Sequence, residues 1–352
     1  METHGEVDEM PDIAGVHEKS DIIRENGGVK NKDILISVIV VTYNQEATIA
    51  RTLDSILMQE CEAKYEIVIG DDCSTDGTDV ICRRYAREYP DRIRYFRRAA
   101  NLGLVKNYYH CIADSYGKYL ADCAGDDFWV DSHKLQMQLE IMEADNEVAL
   151  VHTDWKCCDI RGGNVHEAGI FKGIDRAQQK EYAAGTMSPL IISHSPEGMI
   201  HLCTAMFRRD MLIREISKAP HLFMSPEYKC EDYQIEIALS EVGKIVYLPV
   251  STLYYSVYEG SISHDRNFEK EYYRVKGNLL ISERMRRFYN IAGKDINDYY
   301  ASQLDYLSAQ AWHSHSRNIA KDYIKLRKEM FDGIKVNLKM RIKELFLRFM
   351  SY

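Results

Sequence analysis

Long apolar runs are missing from this chain: no stretch approaches the roughly 20 consecutive apolar residues that a bilayer-spanning helix requires. The opening, Met1-Glu2-Thr3-His4-Gly5, lacks the basic-then-apolar order of a secretory leader, so a cytoplasmic protein is expected. An excess of positive charge is also missing. With 45 Lys and Arg against 54 Asp and Glu, the formal net charge is −9, which leaves no electrostatic footprint for a nucleic-acid strand. Small anions remain admissible, since a metal and one or two local cations suffice for them. No C-x-x-C pair occurs among the nine cysteines, and the odd count with the adjacent Cys157-Cys158 is not a disulfide framework; reduced thiols are expected. Internal repeats and low-complexity tracts are absent as well. What is present is 45% hydrophobic content over 352 residues, enough to bury a large core.

Residues 34–41, Ile-Leu-Ile-Ser-Val-Ile-Val-Val, form the β-branched run that a strand buried on both faces of a parallel sheet requires. Thr42-Tyr43-Asn44-Gln45-Glu46 ends it, and residues 47–59 place Ile49, Leu53, Ile56 and Leu57 on one helical face. A second unit follows: strand 65–70, the polar turn Asp71-Asp72-Cys73-Ser74-Thr75-Asp76-Gly77-Thr78, and helix 80–89. Residues 92–97 and 103–115 predict a third strand and helix, 119–121 a fourth strand, 132–145 a helix and 148–152 a further strand. The alternation fades over 156–200, which reads as a variable, partly mobile region. It returns with 199–208, helix 231–242 and strand 244–248, and residues 269–349 read as helical. The expected organisation is α/β: a flexible extension over 1–33, a Rossmann-like doubly wound domain over 34–265, and a helical region over 266–352. In such sheets the turns after the strands share one edge, so Tyr43, Asp72 and Asp126 should converge on one crevice.

The segment Gly125-Asp126-Asp127-Phe128-Trp129 ends an apolar run on two carboxylates. Hard oxygen ligands at a sheet rim suit Mg2+ or Mn2+ meeting a substrate phosphate. An acidic turn, with Asp131 capping the next helix, is the other reading these residues allow. Glu231-Asp232 is equally two-sided, as a catalytic acid pair or as first-turn acids complementing a helix dipole. A sugar nucleotidyltransferase would place a glycine-rich basic loop just after the first strand, and Thr42-Tyr43-Asn44-Gln45 is not one.

Six motifs in order give the stretch from about Ile36 to Ser263 a resemblance to the glycosyltransferase family 2 proteins of GT-A fold, inverting enzymes that use nucleotide sugars. They are Val-Ile-Val-Val-Thr-Tyr-Asn-Gln-Glu at 38–46, Asp-Asp-Cys-Ser-Thr-Asp-Gly-Thr at 71–78, and Asn101-Leu-Gly with Asn107. Gly-Asp-Asp-Phe-Trp at 125–129, Glu231-Asp232-Tyr233 and Glu259-Gly-Ser-Ile-Ser263 complete the series. The resemblance implies that Tyr43 stacks on the donor base and that Asp72 accepts from a base N–H, which favours UDP. Thr42, Asn44, Glu46, Ser74, Lys106, Asp127 and Trp129 would complete the donor site. Asp126 would hold the divalent metal, Mn2+ or Mg2+. Asp232 would be the catalytic base with Glu231 beside it. The implied reaction is transfer to an acceptor hydroxyl, in bacterial surface polysaccharide or glycoconjugate synthesis, with a saccharide or lipid-linked saccharide as acceptor.

The chain departs from the family pattern at two places. The first position of the D-x-D motif is Ala124, and where relatives carry Tyr-Arg-x-His-x-x-Ser this chain has Tyr255-Ser256-Val257-Tyr258-Glu259-Gly260-Ser261. Lys106 and His264 are candidate replacements for the missing Arg and His. A non-catalytic sugar-nucleotide-binding or assembly subunit is the alternative these departures raise. Tyr254, Tyr255, Tyr258 and Trp129 are candidates for an aromatic rim. Residues 334–352 alternate Lys335, Lys339, Arg341, Lys343 and Arg348 with apolar residues; this pattern fits peripheral contact with an anionic membrane, or a snorkelling helix packed on the domain. His313 and His315 are expected to be surface features rather than metal ligands.

Overall fold

The computed structural model describes residues 22–25, 33–258 and 267–351; the 259–263 motif and His264 lie outside the described residues. Eleven strands form a single mixed sheet. They are β1 (Ile22–Glu25), β2 (Ile36–Thr42), β3 (Tyr65–Asp71), β4 (Ile93–Arg98), β5 (Tyr119–Asp122), β6 (Phe128–Trp129), β7 (Val148–Cys158), β8 (His166–Glu167), β9 (Lys180–Tyr182), β10 (Met206–Arg208) and β11 (Lys244–Ser256). The order is β1-β4-β3-β2-β5-β10-β7-β11-β6, with β8 on β7 and β9 on β11. β4, β3, β2 and β5 run parallel, as the alternation of apolar runs with helical segments predicts. β10 enters antiparallel between β5 and β7, which mixes the sheet beyond the doubly wound half.

The helices are α1 (Ile49–Leu57), α2 (Thr78–Glu88), α3 (Leu104–Asp114), α4 (Lys134–Ala144), α5 (Ser188–Ile192), α6 (Arg209–Lys218), α7 (Asp232–Val242), α8 (Phe268–Tyr289), α9 (Ile296–His313), α10 (Arg317–Met330) and α11 (Leu338–Ser351). Two strands are longer than their local pattern announces. β7 and β11 continue past His152 and Leu248 because they pair in parallel with each other as far as Cys158 and Ser256, across register shifts between Leu248 and Leu253. The partner strand supplies a ladder that alternation cannot reveal. Residues 22–25, expected within a loose extension, add an antiparallel strand to the edge of β4.

Successive residues of β2 feed opposite faces of the sheet, and so separate two cores. Val38 and Val40 join Leu53, Ile56, Ile67, Tyr85 and Trp129 under α1, α2 and α4. Ile39 joins Val68, Tyr108, Ile112 and α7 on the other face. That second core does not stop at the sheet domain: Tyr272 and Leu279 of α8, Leu304 of α9, Tyr323 of α10 and Leu347 of α11 belong to the same apolar cluster. All nine cysteines are unpaired with one another.

Candidate active site

β2, β3 and β5 are neighbours with Thr42 opposite Asp71 and Ile39 opposite Asp122, so the turns that follow them open on one edge of the sheet. Tyr43 stands at this edge 47% exposed, its ring available for stacking. Asp72 is buried, and its oxygens accept backbone N–H groups of Leu102 (2.7 Å) and Gly103 (2.9 Å) at the start of α3. Burial holds its carboxyl above the ordinary value, while these two donors act in the opposite direction. Each oxygen keeps a second lone pair for a ligand N–H.

Of the residues expected among the donor contacts, Asn44, Glu46 and Ser74 tie the two turns together, while the Thr42 hydroxyl bonds within its own turn. The Thr42 hydroxyl donates to Gln45 Oε1 (2.8 Å), and Asn44 N–H donates to Ser74 Oγ (3.0 Å). Asn44 Oδ1 accepts from Thr75 N–H (2.8 Å), and Glu46 Oε2 accepts from Gly77 N–H (2.6 Å). Asn44 does this from the left-handed region, at φ 53°, which its short polar side chain tolerates. These four residues position Tyr43 and Asp72.

The turn after β5 lies hard against the end of β2. A side chain at Gly125 would put its Cβ 2.4 Å from Gln45 Oε1 and 2.9 Å from Thr42 Oγ1, so anything larger than glycine would have to displace Gln45 and press on Thr42. Asp126 is partly exposed, and its Oδ2 accepts the Tyr258 hydroxyl at 3.0 Å. Its backbone carbonyl receives Ser256 Oγ (2.6 Å) and Arg51 Nη2 (3.2 Å). Burial raises the Asp126 carboxyl, against the pull of the Tyr258 hydroxyl and the Arg51 charge. Asp127 points the other way: it is 1% exposed and accepts Ser256 N–H at 2.9 Å, so its carboxylate faces the interior rather than a donor. Burial, reinforced by the Asp126 charge, pushes Asp127 well up.

Trp129 is not a donor contact. At 1% exposure its indole donates to the Cys203 carbonyl (3.0 Å), and the Lys134 ammonium lies 4.3 Å from its ring centroid. An apolar ring flanked by β11 and the core gains more from burial than from a rim position. The other three rings proposed for an aromatic rim are partly exposed. Tyr254 packs edge-on to Phe128 and Tyr255 edge-on to His201, while Tyr258 turns to Asp126.

Glu231 and Asp232 stand at the start of α7, partly exposed, with Asp232 Oδ1 accepting the Tyr233 N–H (2.7 Å). Burial, then the charges of Asp232 and Asp122, push the Glu231 carboxyl well up. The influence of Asp122 places this helix start within electrostatic reach of the end of β5. Asp122 itself is 4% exposed; it accepts the Tyr108 hydroxyl on Oδ2 (2.6 Å), while its Oδ1 has no partner among the described residues. Burial pushes it up to about 8, so at neutral pH it is mostly a neutral acid behind the pair.

A cavity of about 700 Å3 runs between the start of α3, the 224–229 loop and α8. Leu102 and Gly103, the donors to Asp72, form one wall together with Lys106; Tyr228 and Lys229, just before Glu231, form another. Of the candidate residues Lys106 lines this cavity; Tyr43, Asp72, Asp126, Glu231 and Asp232 are not among its lining residues. Of the two residues that serve the Asp126 turn, Arg51 was not legible as a site residue, and Tyr258 was expected on an aromatic rim rather than as the partner of Asp126. Arg51 sits on a helix whose sequence shows only amphipathic spacing, and Tyr258 occupies a position where the motif has histidine.

The family model for glycosyl transferase family 2 matches residues 37–214, and the chain belongs to that family. EpsE of Bacillus subtilis, named provisionally as a glycosyltransferase, is 34% identical over 39% of this chain and 51% of its own length. TuaG of the same organism, named provisionally for teichuronic acid biosynthesis, is 36% identical over 31% of this chain and 42% of its own. The chain thus spans about half of these relatives' length or somewhat less. Among solved structures, S. aureus TarS 1–349 in complex with UDP-GlcNAc superposes with a TM-score of 0.55 at 18% identity, covering 90% of both chains. The mannosyltransferase PcManGT of Pyrobaculum calidifontis, in complex with GDP-Man and Mn2+, gives 0.52 at 17% identity over 93% of this chain and 88% of its own. The fold is that of these GT-A enzymes.

Proposed function

We propose that this protein transfers a sugar from a nucleoside diphosphate donor, UDP-linked above all, to an acceptor hydroxyl with inversion at the anomeric carbon. The observation that carries the reading is that the turns bearing Tyr43, Asp72 and Asp126 open on one edge of the sheet, with Gly125 packed against Thr42 and Gln45. Donor base and acceptor base need to be served from one space, because the attacking hydroxyl must reach the anomeric carbon from the side opposite the diphosphate. Tyr43 stacks on the donor base, and Asp72 accepts its N–H. Lys106, at the cavity wall, steadies the phosphates, with Arg51 lending positive charge behind Asp126. Asp232 takes the proton of the acceptor hydroxyl, and Glu231 shapes the acceptor side.

Asp126 fits a divalent ion. Mg2+ and Mn2+ are commonly bound by one or two carboxylates together with substrate phosphates, and a partly exposed carboxylate with one neutral donor, Tyr258, is such a ligand. When bound, the ion would neutralise charge on the leaving diphosphate. Donor complexes in the TarS and PcManGT structures support this reading, and the teichuronic acid relative supports a surface polysaccharide or glycoconjugate acceptor, saccharide or lipid-linked. Among the described residues no helix is long and apolar enough to cross a membrane. Peripheral contact with the inner face of an anionic membrane is supported by α11, whose Leu338, Leu345, Phe346 and Phe349 are exposed beside basic residues.

The test is release of UDP from a panel of UDP-sugars with Mn2+ or with chelator. Metal-dependent release is expected. Tight UDP binding with no release from any donor would favour the non-catalytic subunit, the reading that Ala124 at the first D-x-D position raises.

A further inference from the structure

We propose that Asp127, His201 and Cys203 form a thiolate-containing site for a late first-row divalent ion, zinc above all, distinct from the oxygen ligand Asp126. Asp127 comes from the turn before β6; His201 and Cys203 come from the short 3-10 turn Leu202–Thr204 and the residue before it. One carboxylate oxygen, one imidazole nitrogen and one sulfur lie within 4.8 Å of one another. His201 Nε2 is 4.0 Å from Asp127 Oδ2, too far for a hydrogen bond. A tetrahedral zinc with ordinary bonds of about 2.0–2.1 Å asks for a separation of about 3.3 Å, so the gap needs to close by less than an ångström.

Each ligand is already held from behind, as metal ligands are. Asp127 Oδ1 takes the Ser256 N–H at 2.9 Å, and the Cys203 thiol hydrogen-bonds to the Asp127 carboxyl, a proton that an ion would displace. Burial and the charges of nearby groups such as Asp127 hold the Cys203 thiol well up, and its Sγ accepts the Ala124 N–H at 3.3 Å, which acts the other way; a bound cation would supply the remaining charge that a thiolate needs. The His201 ring is fixed between Trp155 and Tyr255, at 5.4 and 4.8 Å between centroids. Its side chain is 21% exposed where that of Asp127 is 2% exposed, so an ion enters, and a water completes the coordination, from the histidine side. Binding breaks the Cys203 S–H bond, forms a metal–sulfur bond and releases the proton to solvent. A divalent ion with one carboxylate and one thiolate is electrically neutral, which suits a buried place. Mixed sulfur, nitrogen and oxygen ligands select zinc over Mg2+ or Mn2+.

The metal-stripped full chain titrated with Co2+ tests this. A thiolate-to-cobalt charge-transfer band in the near ultraviolet is expected, bleached on adding Zn2+. It should vanish in Cys203→Ser and persist in Asp126→Ala. His201→Ala keeps the sulfur but should weaken Co2+ binding by at least about tenfold. No band at saturating Co2+, or a band that survives in Cys203→Ser, overturns the site. If Cys203→Ser does not fold, unchanged Co2+ affinity in His201→Ala overturns it equally.

Discussion

At the scale of single residues, the candidate site separates partly exposed carboxylates, Asp126 and Asp232, from the side chains that brace its turns. Asp232→Asn keeps size and hydrogen bonding but cannot accept a proton, so turnover should fall by roughly 10²-fold or more with UDP affinity nearly unchanged. Retained turnover would move the base elsewhere, with Glu231 the first to test. For Asp126 the readout is the metal: UDP should bind more tightly to the parent with Mn2+ than with chelator, and Asp126→Ala should erase that gain. Equal affinity under both conditions in the parent would remove Asp126 from the metal role. Asp122 gives a pH test. Its folded carboxyl titrates near 8 against an ordinary 3.8, so the folded state binds more protons than the unfolded state between those values. Stability from this group is therefore full below about 4 and is lost as pH rises towards 8. Asp122→Asn cannot ionise, so across that window its melting temperature should gain on the parent as pH rises; a flat difference would show that Asp122 is ionised in the fold.

At the scale of elements, α11 shows two faces. Met340 and Leu347 are buried, Glu344 pairs with Arg327 at 3.1 Å and Lys343 with Asp305 at 2.9 Å, so one side is packed on α9 and α10. The opposite side exposes Leu338 (74%) and Phe349 (71%). Because the inner side is structural, substitution is a cleaner probe of membrane contact than deletion. The parent should co-sediment with phosphatidylglycerol vesicles at low salt and dissociate as salt rises, since each cation near the surface contributes about 1 kcal/mol that screening removes. Leu338→Ser with Phe349→Ser should abolish sedimentation without shifting the melting temperature. Undiminished binding in that double variant would place the contact elsewhere.

At the scale of the whole molecule, the helices after residue 267 share one apolar cluster with the sheet, and α8 forms a wall of the cavity. A chain ending before α8 exposes the sheet-side partners of Tyr272, Leu279 and Ile281. At about 1.5–3 kcal/mol for each large apolar side chain returned to water, the loss rivals a domain's whole stability. Such a truncation should lack a cooperative thermal transition and bind UDP weakly or not at all. A sharp transition with intact UDP binding would show instead that residues 34–265 fold independently.

The parallel half of the sheet and the place of its turns follow from the sequence alone, because continuous β-branched runs and amphipathic runs of period 3.6 are local signals. Tyr43, Asp72 and Asp126 are legible for the same reason: each follows such a run, and topology alone carries them to one edge. Tertiary structure decided what local pattern cannot carry. The length of β7 and β11 depends on their pairing with each other, and the inward turn of Asp127 and Trp129 depends on β11 and Cys203 lying behind them. Asn44, Glu46 and Ser74 look like ligands in sequence, yet they bond across 30 or 31 residues of chain to brace the turns. Side-chain direction and long-range partners are set by packing, and packing exists only once distant segments have met.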